Sequence, residues 1–146
     1  MKAIILAAGM GRRLGNITKN KPKALVRLKK RELISYIIDM ANFINISEVI
    51  VVGGSGFKQI KDYLDTHYPN IKLIENPSYQ IANLYSLKGA LPFVNDDFLL
   101  FNVDHIFSKK LLLLIKDICD DAKEFTVFCD NKKTILKDQM KVKLEK

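Results

Sequence analysis

Residues 2–15 read KAIILAAGMGRRLG, an apolar run that ends in closely spaced glycines and two arginines. An uninterrupted apolar run of this length predicts a buried β-strand over Lys2–Ala7, and the glycines predict a loop directly after it. Small residues let backbone N–H groups approach an anion, and arginine can hold phosphate oxygens through paired hydrogen bonds. The stretch therefore predicts a strand followed by a phosphate-binding loop, although a glycine-rich turn with solvated arginines would have the same composition.

The rest of the chain alternates between predicted helices and predicted strands. Apolar residues at intervals of three and four predict helices at 32–44, 57–66, 81–90 and 109–118. Short apolar runs predict strands at 25–28, 48–52, 71–74, 98–103 and 125–129. This alternation predicts an α/β fold of three layers, with a doubly wound, mostly parallel sheet. Ligands bind at the carboxyl ends of the strands in such sheets, which singles out residues 8–23 and 104–107.

Length and composition limit the class of protein. The 146 residues fit one domain over 1–146, because domains commonly have ~100–200 residues. Hydrophobic residues make up 48% and charged residues 27%, a balance that argues against a disordered chain. Cys119 and Cys129 form no CxxC pair, so we expect a reduced, cytoplasmic protein. No apolar run approaches the ~20 residues of a membrane-spanning helix, and we expect neither a transmembrane segment nor export.

Two well-known phosphate loops do not fit the glycine-rich segment. A GxGxxG dinucleotide fingerprint needs a third glycine where Leu14 stands, and a GxxxxGK[ST] loop does not occur. The pattern L-A-A-G-x-G-x-R-L at 6–14, followed by Pro22 and Lys23, instead resembles the signature of nucleotidyltransferases that make nucleotide-activated sugars and phospho-alcohols. The resemblance implies a Rossmann-like nucleotidyltransferase fold. Members of that family are usually longer, so it also implies a domain without the usual C-terminal part.

The resemblance implies a role for each matched residue. Backbone amides of residues 8–13 would hold the triphosphate. Two residues would be catalytic: Arg13 would stabilise the departing pyrophosphate, and Lys23 would lie between the α-phosphate and the acceptor phosphate. Many members have threonine where this chain has Arg12. The implied nucleotide-binding set is Leu6, Ala7, Ala8, Gly9, Met10, Gly11, Arg12, Arg13, Lys23, Asn83 and Ser86.

Asp104 and His105 follow the predicted strand at 98–103. A carboxylate at this edge of the sheet, across from a phosphate loop, can hold Mg²⁺. By resemblance Asp104 is the Mg²⁺ ligand, although aspartate in such a place is also common as a helix N-cap or a turn residue. Asp-His followed by two apolar residues resembles the inositol-phosphate cytidylyltransferases, so we expect His105 to contact the acceptor. A purely structural histidine is the alternative.

Asn83 and Ser86 are three residues apart and would share a face of the predicted helix. An amide and a hydroxyl can recognise the edge of a base through hydrogen bonds. The N-x-x-S-L segment is similar to one found near the nucleotide base in cytidylyltransferases that act on phosphocholine and inositol phosphate. The alternative is that Asn83 caps the helix.

Together the motifs imply a Mg²⁺-dependent enzyme that moves CMP from CTP onto a phosphorylated alcohol of the inositol phosphate or phosphocholine type and releases pyrophosphate. A sugar-1-phosphate nucleotidyltransferase using UTP, dTTP or another NTP is one alternative, and a non-catalytic nucleotide-binding module is a second. The net charge of +8 would also fit an RNA-binding protein. The chain lacks an aromatic RNP pattern, so we expect an NTP and a phosphorylated small molecule as partners and no nucleic acid. The oligomeric state stays open.

Overall fold

The computed structural model describes residues 1–121 and 126–128. Its six strands are β1 (Lys2–Ala7), β2 (Arg27–Leu28), β3 (Arg31–Glu32), β4 (Glu48–Gly53), β5 (Lys72–Glu75) and β6 (Phe98–Asn102). Its four α-helices are α1 (Leu33–Phe43), α2 (Phe57–His67), α3 (Asn83–Ala90) and α4 (Lys109–Asp121). None of the helices in the described residues is long and apolar enough to cross a membrane.

Four strands form one parallel sheet in the order β5-β4-β1-β6. Ile4 of β1 pairs with Ile50 of β4 on one side and with Leu100 of β6 on the other. The chain therefore builds the sheet outward from β1 in both directions. The loops after β1 and β6 leave neighbouring strands at the point where the strand order reverses, which is where such sheets bind ligands.

The side chains of β1 alternate between two apolar layers, as a strand buried on both faces requires. Ala3, Ile5 and Ala7 belong to a core cluster that includes residues of α1, α2 and α4. Ile4 belongs to a second, smaller cluster, which includes Ala90 of α3. Helices thus cover both faces of the sheet, and the predicted three-layer, doubly wound α/β fold is confirmed.

Most predicted elements agree with the structure to within a few residues. The segment at 25–28 is a difference: a 3₁₀ turn covers Lys23–Leu25, and the strand is only the two residues Arg27–Leu28 of a small antiparallel hairpin with β3. Residues Arg12–Thr18 also form 3₁₀ turns within the predicted loop. Of the predicted strand at 125–129, residues 125 and 129 lie outside the described residues, and residues 126–128 have no regular secondary structure, so the prediction is wrong for those three. The assignment of 1–146 to a single domain stays a prediction.

The loop after β1 is fixed to the turn between β4 and α2. The backbone N–H of Ser55 donates to the Ala8 carbonyl at 3.1 Å, and Gln59 Nε2 donates to the Asn20 carbonyl at 3.2 Å. Gly54 lies so close to this loop that a Cβ atom on it would be 2.5 Å from Tyr79 Cβ and 2.9 Å from Ala8 Cβ. The absence of a side chain at Gly54 therefore allows three segments to meet at the carboxyl edge of the sheet.

We expect Gly54→Ala to lower the free energy of unfolding by about 1–3 kcal/mol, because the added methyl group overpacks this contact. The matched control is Gly89→Ala within α3, where an added Cβ meets nothing within 4 Å. That change should stabilise the protein by about 0.5–1 kcal/mol, since alanine favours a helix over glycine. Urea denaturation of both variants measures the difference. Equal effects in the two variants would contradict the proposed close contact at Gly54.

Candidate active site

A cavity of about 700 Å³ opens at the carboxyl edge of the sheet. The loops after β1 and β6 form two of its walls, and α3 with the turn before it forms a third. The cavity is lined by Leu6, Ala8, Gly9, Met10, Gly11, Arg12, Arg13, Leu14, Lys23, Leu33, Gln80, Asn83, Ser86, Asn102, Val103, Asp104 and His105. Distant parts of the sequence thus form one site of a size suited to a small-molecule ligand.

The glycine-rich loop leaves backbone donors available to a ligand. Among the described residues, none accepts a hydrogen bond from the backbone N–H groups of Gly9, Met10 and Gly11, and all three residues line the cavity. Gly11 has a φ of 66°, a left-handed conformation that favours glycine, and Thr18 Oγ1 donates to its carbonyl at 3.0 Å. Successive unpaired N–H groups are a natural binding site for an anion. The predicted phosphate loop therefore has the donors that it needs.

Two arginines extend this loop into the cavity wall. Arg12 and Arg13 are exposed, and neither forms an ion pair with a carboxylate in the part of the chain that the structure describes. Within residues 1–121 and 126–128, the one hydrogen bond of the two guanidinium groups runs from Arg12 Nη2 to Met10 Sδ, at 3.8 Å. Both guanidinium groups therefore keep their positive charge and their forked donors for a ligand such as a phosphate.

Lys23 and Asp104 form an ion pair at the cavity wall. Lys23 follows Pro22, which is buried, and Asp104 lies in the turn after β6, where the Val103 N–H donates to the Leu6 carbonyl at 3.2 Å. Lys23 Nζ donates to Asp104 Oδ2 at 2.5 Å. Burial raises the pKa of Asp104, but the hydrogen bond and charge of Lys23, together with His105, outweigh it and hold that pKa below its usual range. The carboxylate is thus kept ionised beside the phosphate loop.

The donor set around Asp104 fits a magnesium ion that is carried by a polyphosphate. Asp104 is the only carboxylate among the described residues that line the cavity. Those residues contain no group of three or more acidic, histidine or cysteine side chains that would form a complete protein site. Mg²⁺ is usually held by one or two carboxylates together with substrate phosphates, so a single aspartate opposite a phosphate loop suits it. Asp104 does not cap a helix, because α4 begins only at Lys109, but it does lie in a turn, and its role as a Mg²⁺ ligand stays a prediction.

His105 lines the same cavity and is exposed. Its backbone N–H donates to the Asn102 carbonyl at 3.1 Å, and its ring lies edge-on to Phe107 with 6.3 Å between the ring centres. These contacts orient the imidazole without occupying its two nitrogen atoms. Its contact with the acceptor stays a prediction.

Asn83 and Ser86 both line the cavity, as their shared helix face predicts. Asn83 is exposed and is the first residue of α3, whose cap is Ala82 with no side-chain hydrogen bond. The alternative that Asn83 caps the helix is therefore wrong. Ser86 is only 2% exposed, and its Oγ accepts a hydrogen bond of 2.8 Å from Asn76 Nδ2. The contact of Asn83 and Ser86 with a base stays a prediction.

Most of the predicted nucleotide-binding residues come together here. Ala7 differs: it is fully buried in the core cluster and does not line the cavity, because its side chain lies on the face of β1 that α1 covers. The sequence analysis missed Leu33 and Gln80, which reach the cavity from α1 and from the turn before α3. It also gave no role to Asn76, which donates to Ser86, although a polar residue just after a predicted strand is a signal for the edge at which ligands bind.

Comparison with known proteins agrees with this geometry. Residues 3–135 match the family described as the MobA-like NTP transferase domain. The chain belongs to this family. The expected resemblance to nucleotidyltransferases, and to cytidylyltransferases among them, is confirmed.

Three relatives illustrate the match of this MobA-like chain. The choline-phosphate cytidylyltransferase of Streptococcus pneumoniae is 43% identical over 88 residues, which are 60% of this chain and 38% of that protein. A bifunctional IPC transferase and DIPP synthase of Archaeoglobus fulgidus is 35% identical over 112 residues, which are 77% of this chain and 22% of that protein. The solved inositol-1-phosphate CTP transferase from T. maritima has a TM-score of 0.69 at 25% identity, over 77% of this chain and 46% of that one. The chain thus spans less than half the length of each relative.

The Lys23–Asp104 ion pair should make the stability of the fold depend on pH. Because the pKa of Asp104 is lowered on folding, its carboxylate stabilises the fold above the ordinary aspartate pKa of about 3.9, and this contribution is lost as the pH falls through the lower folded value. We therefore expect wild type to melt at a higher temperature than Asp104→Asn near neutral pH, with the difference shrinking in acid. Thermal denaturation across the acidic range measures it.

The control for this prediction is the same substitution in a Lys23→Ala background. Without Lys23 the burial of Asp104 acts largely unopposed, so the advantage of aspartate over asparagine near neutral pH should be smaller. If the difference in melting temperature between wild type and Asp104→Asn did not change with pH, the ion pair would have no role in stability.

Proposed function

We propose that this protein transfers CMP from CTP to a phosphorylated alcohol of the phosphocholine or inositol phosphate type and releases pyrophosphate. The observation that carries the proposal is that the glycine-rich loop, with its unpaired N–H groups, and the Lys23–Asp104 ion pair line the same cavity. The cytidylyltransferase names of its relatives support the choice of CTP.

The reaction is a direct displacement at phosphorus. An oxygen of the acceptor's phosphate forms a bond to the α-phosphorus of the NTP, while the bond from that phosphorus to the oxygen of the leaving pyrophosphate breaks. A phosphate dianion is already nucleophilic, so the step needs no general base. Catalysis then depends on holding two anionic groups together and on stabilising the negative charge that develops.

The residues of the cavity suit these tasks. The N–H groups of Gly9, Met10 and Gly11 would hold the triphosphate, and Arg13 would stabilise the charge on the departing pyrophosphate. Lys23 would lie between the α-phosphate and the acceptor phosphate, where its positive charge reduces their repulsion. Mg²⁺, held by Asp104 and the nucleotide's phosphates, would supply further charge neutralisation when bound.

The Lys23–Asp104 ion pair has a part in this arrangement before any ligand arrives. Each group holds the other at the cavity wall, so neither charge is left without a counter-charge. A bound polyphosphate offers Lys23 a more highly charged partner, and the carboxylate of Asp104 is then released. The pair therefore keeps both groups in place in the free protein. On binding, Lys23 would exchange Asp104 for the polyphosphate.

Nucleotide binding gives the first test. We expect CTP with Mg²⁺ to raise the melting temperature of the full chain more than UTP, dTTP, GTP or ATP does. A ligand present at 100 times its Kd stabilises a protein by about 2.7 kcal/mol, which is a readable shift. A preference for UTP or dTTP would favour sugar-1-phosphates as acceptors, and no shift with any nucleotide would overturn the proposal for this chain. Pyrophosphate release with phosphocholine and with inositol phosphate then identifies the acceptor.

Lys23 and Lys21 form a matched pair for the catalytic test. Losing a charge-stabilising group costs ~2.7–4 kcal/mol in other enzymes, so Lys23→Ala should lower kcat on the order of 100-fold or more. Lys21 is exposed and does not line the cavity, so Lys21→Ala should stay within about threefold of wild type. The rate of pyrophosphate release measures both. A Lys23→Ala enzyme as active as the Lys21→Ala enzyme would remove Lys23 from the mechanism.

A further inference from the structure

A buried polar pair, Asn76 and Ser86, lies behind the wall of the cavity that α3 forms. The two residues are 4% and 2% exposed, and with Ser35 they are the buried polar or charged residues of the described chain. Only Ser86 of the pair lines the cavity. Asn76 is held in place by its backbone N–H, which donates to the Gly53 carbonyl at 2.8 Å. The pair is therefore a fixed structure that reaches the cavity through one hydroxyl group.

The hydrogen bonds of Asn76 determine which way its amide faces. The backbone N–H of Ser78 can only donate, and it lies 2.9 Å from Asn76 Oδ1. The atom of Asn76 that faces Ser86 is consequently the amide nitrogen, at 2.8 Å from Ser86 Oγ. An amide nitrogen donates and does not accept. Ser86 Oγ must therefore be the acceptor in this bond, and it keeps its own proton.

That proton has no partner within the described protein. Serine in a helix often donates to the backbone carbonyl one turn earlier, but none of the residues in 1–121 and 126–128 accepts a hydrogen bond from Ser86 Oγ. A buried donor without a partner is costly, and Ser86 borders the cavity. A ligand in the cavity is then the natural acceptor for this proton.

We infer that Asn76 is a positioning residue that fixes Ser86 as a hydrogen-bond donor to the base of the bound nucleotide. This inference rests on the proposed function, because it takes the occupant of the cavity to be a nucleotide. It goes further in stating the direction of the hydrogen bond, in which Ser86 donates and the base accepts. The base must present an acceptor atom to Ser86, such as a ring nitrogen without hydrogen or a carbonyl oxygen, and cytosine has both on one edge.

Asn76→Asp tests the polarity directly. The carboxylate still accepts from the Ser78 N–H. Toward Ser86 it also acts only as an acceptor, so Ser86 must donate its proton to it. The Ser86 proton then turns away from the cavity, and the base loses its donor. Ser86→Ala removes the donor without any change at Asn76. Inorganic tripolyphosphate with Mg²⁺ serves as a ligand without a base, so that effects of fold or charge can be separated from effects on the base.

The affinities of the full chain for CTP–Mg²⁺ and for tripolyphosphate–Mg²⁺ are measured by calorimetry in wild type, in both single variants and in the double variant. We expect Ser86→Ala to weaken CTP binding about tenfold relative to tripolyphosphate, as the loss of one ordinary hydrogen bond does. Asn76→Asp should lower the ratio of the CTP affinity to the tripolyphosphate affinity to a similar extent. If Asn76 acts through Ser86, adding Asn76→Asp to Ser86→Ala should change the ratio less than about twofold.

The outcomes separate the two proposals. Wild type that binds neither ligand overturns the proposed function, and this inference with it. Wild type that binds both, with an unchanged ratio in Ser86→Ala, overturns the inference alone. Additive losses in the double variant show that Asn76 does not act through Ser86 and also overturn it. If Asn76→Asp does not fold, as its melting curve would show, Ser86→Ala still decides whether the base accepts a hydrogen bond from Ser86.

Discussion

The ion pair between Lys23 and Asp104 joins the two halves of the site. The residues are 81 positions apart, and they follow two neighbouring strands of the sheet, β1 and β6. The pair closes the gap between the loops after these strands at the point where the strand order reverses. Its opposite charges keep each other at the cavity wall, so the groups that a polyphosphate and its metal would need stand together before either ligand arrives.

The framework around this pair is held by packing and by backbone contacts. Gly54 meets Ala8 and Tyr79 at distances that leave no room for a side chain, and the Ser55 N–H bonds to the Ala8 carbonyl. These contacts fix the base of the glycine-rich loop. The tip of the loop is different, because among the described residues the N–H groups of Gly9, Met10 and Gly11 have no acceptor and the two arginines have no carboxylate partner. Interactions that stabilise the fold and groups kept for a ligand therefore occupy separate parts of one short segment.

The cavity would combine two kinds of recognition. The glycine-rich loop would offer charge and N–H groups to any NTP, so it would contribute affinity and little selectivity among bases. The wall from α3 is less charged, and there the Asn76–Ser86 pair would present a single hydroxyl of fixed polarity. A hydroxyl that can only donate toward the cavity favours a base edge with an acceptor atom, because a base that presents a donor there leaves the buried Ser86 proton unpaired. Discrimination between base edges would then depend in part on buried hydrogen bonds behind the cavity wall.

The sequence by itself determined most of the alternating strands and helices, the parallel sheet and the glycine-rich loop after β1. These follow from local periodicity and from glycine and arginine close together in the chain. It also placed Lys23, Asn83 and Asp104 at the site through a resemblance to known signatures. Only the tertiary structure decided that Lys23 pairs with Asp104, that Asn76 orients Ser86, that Gln80 and Leu33 reach the cavity, and that Ala7 belongs to the core. Local patterns limit the conformation of neighbouring residues, whereas contacts between distant residues depend on how the strands assemble into the sheet.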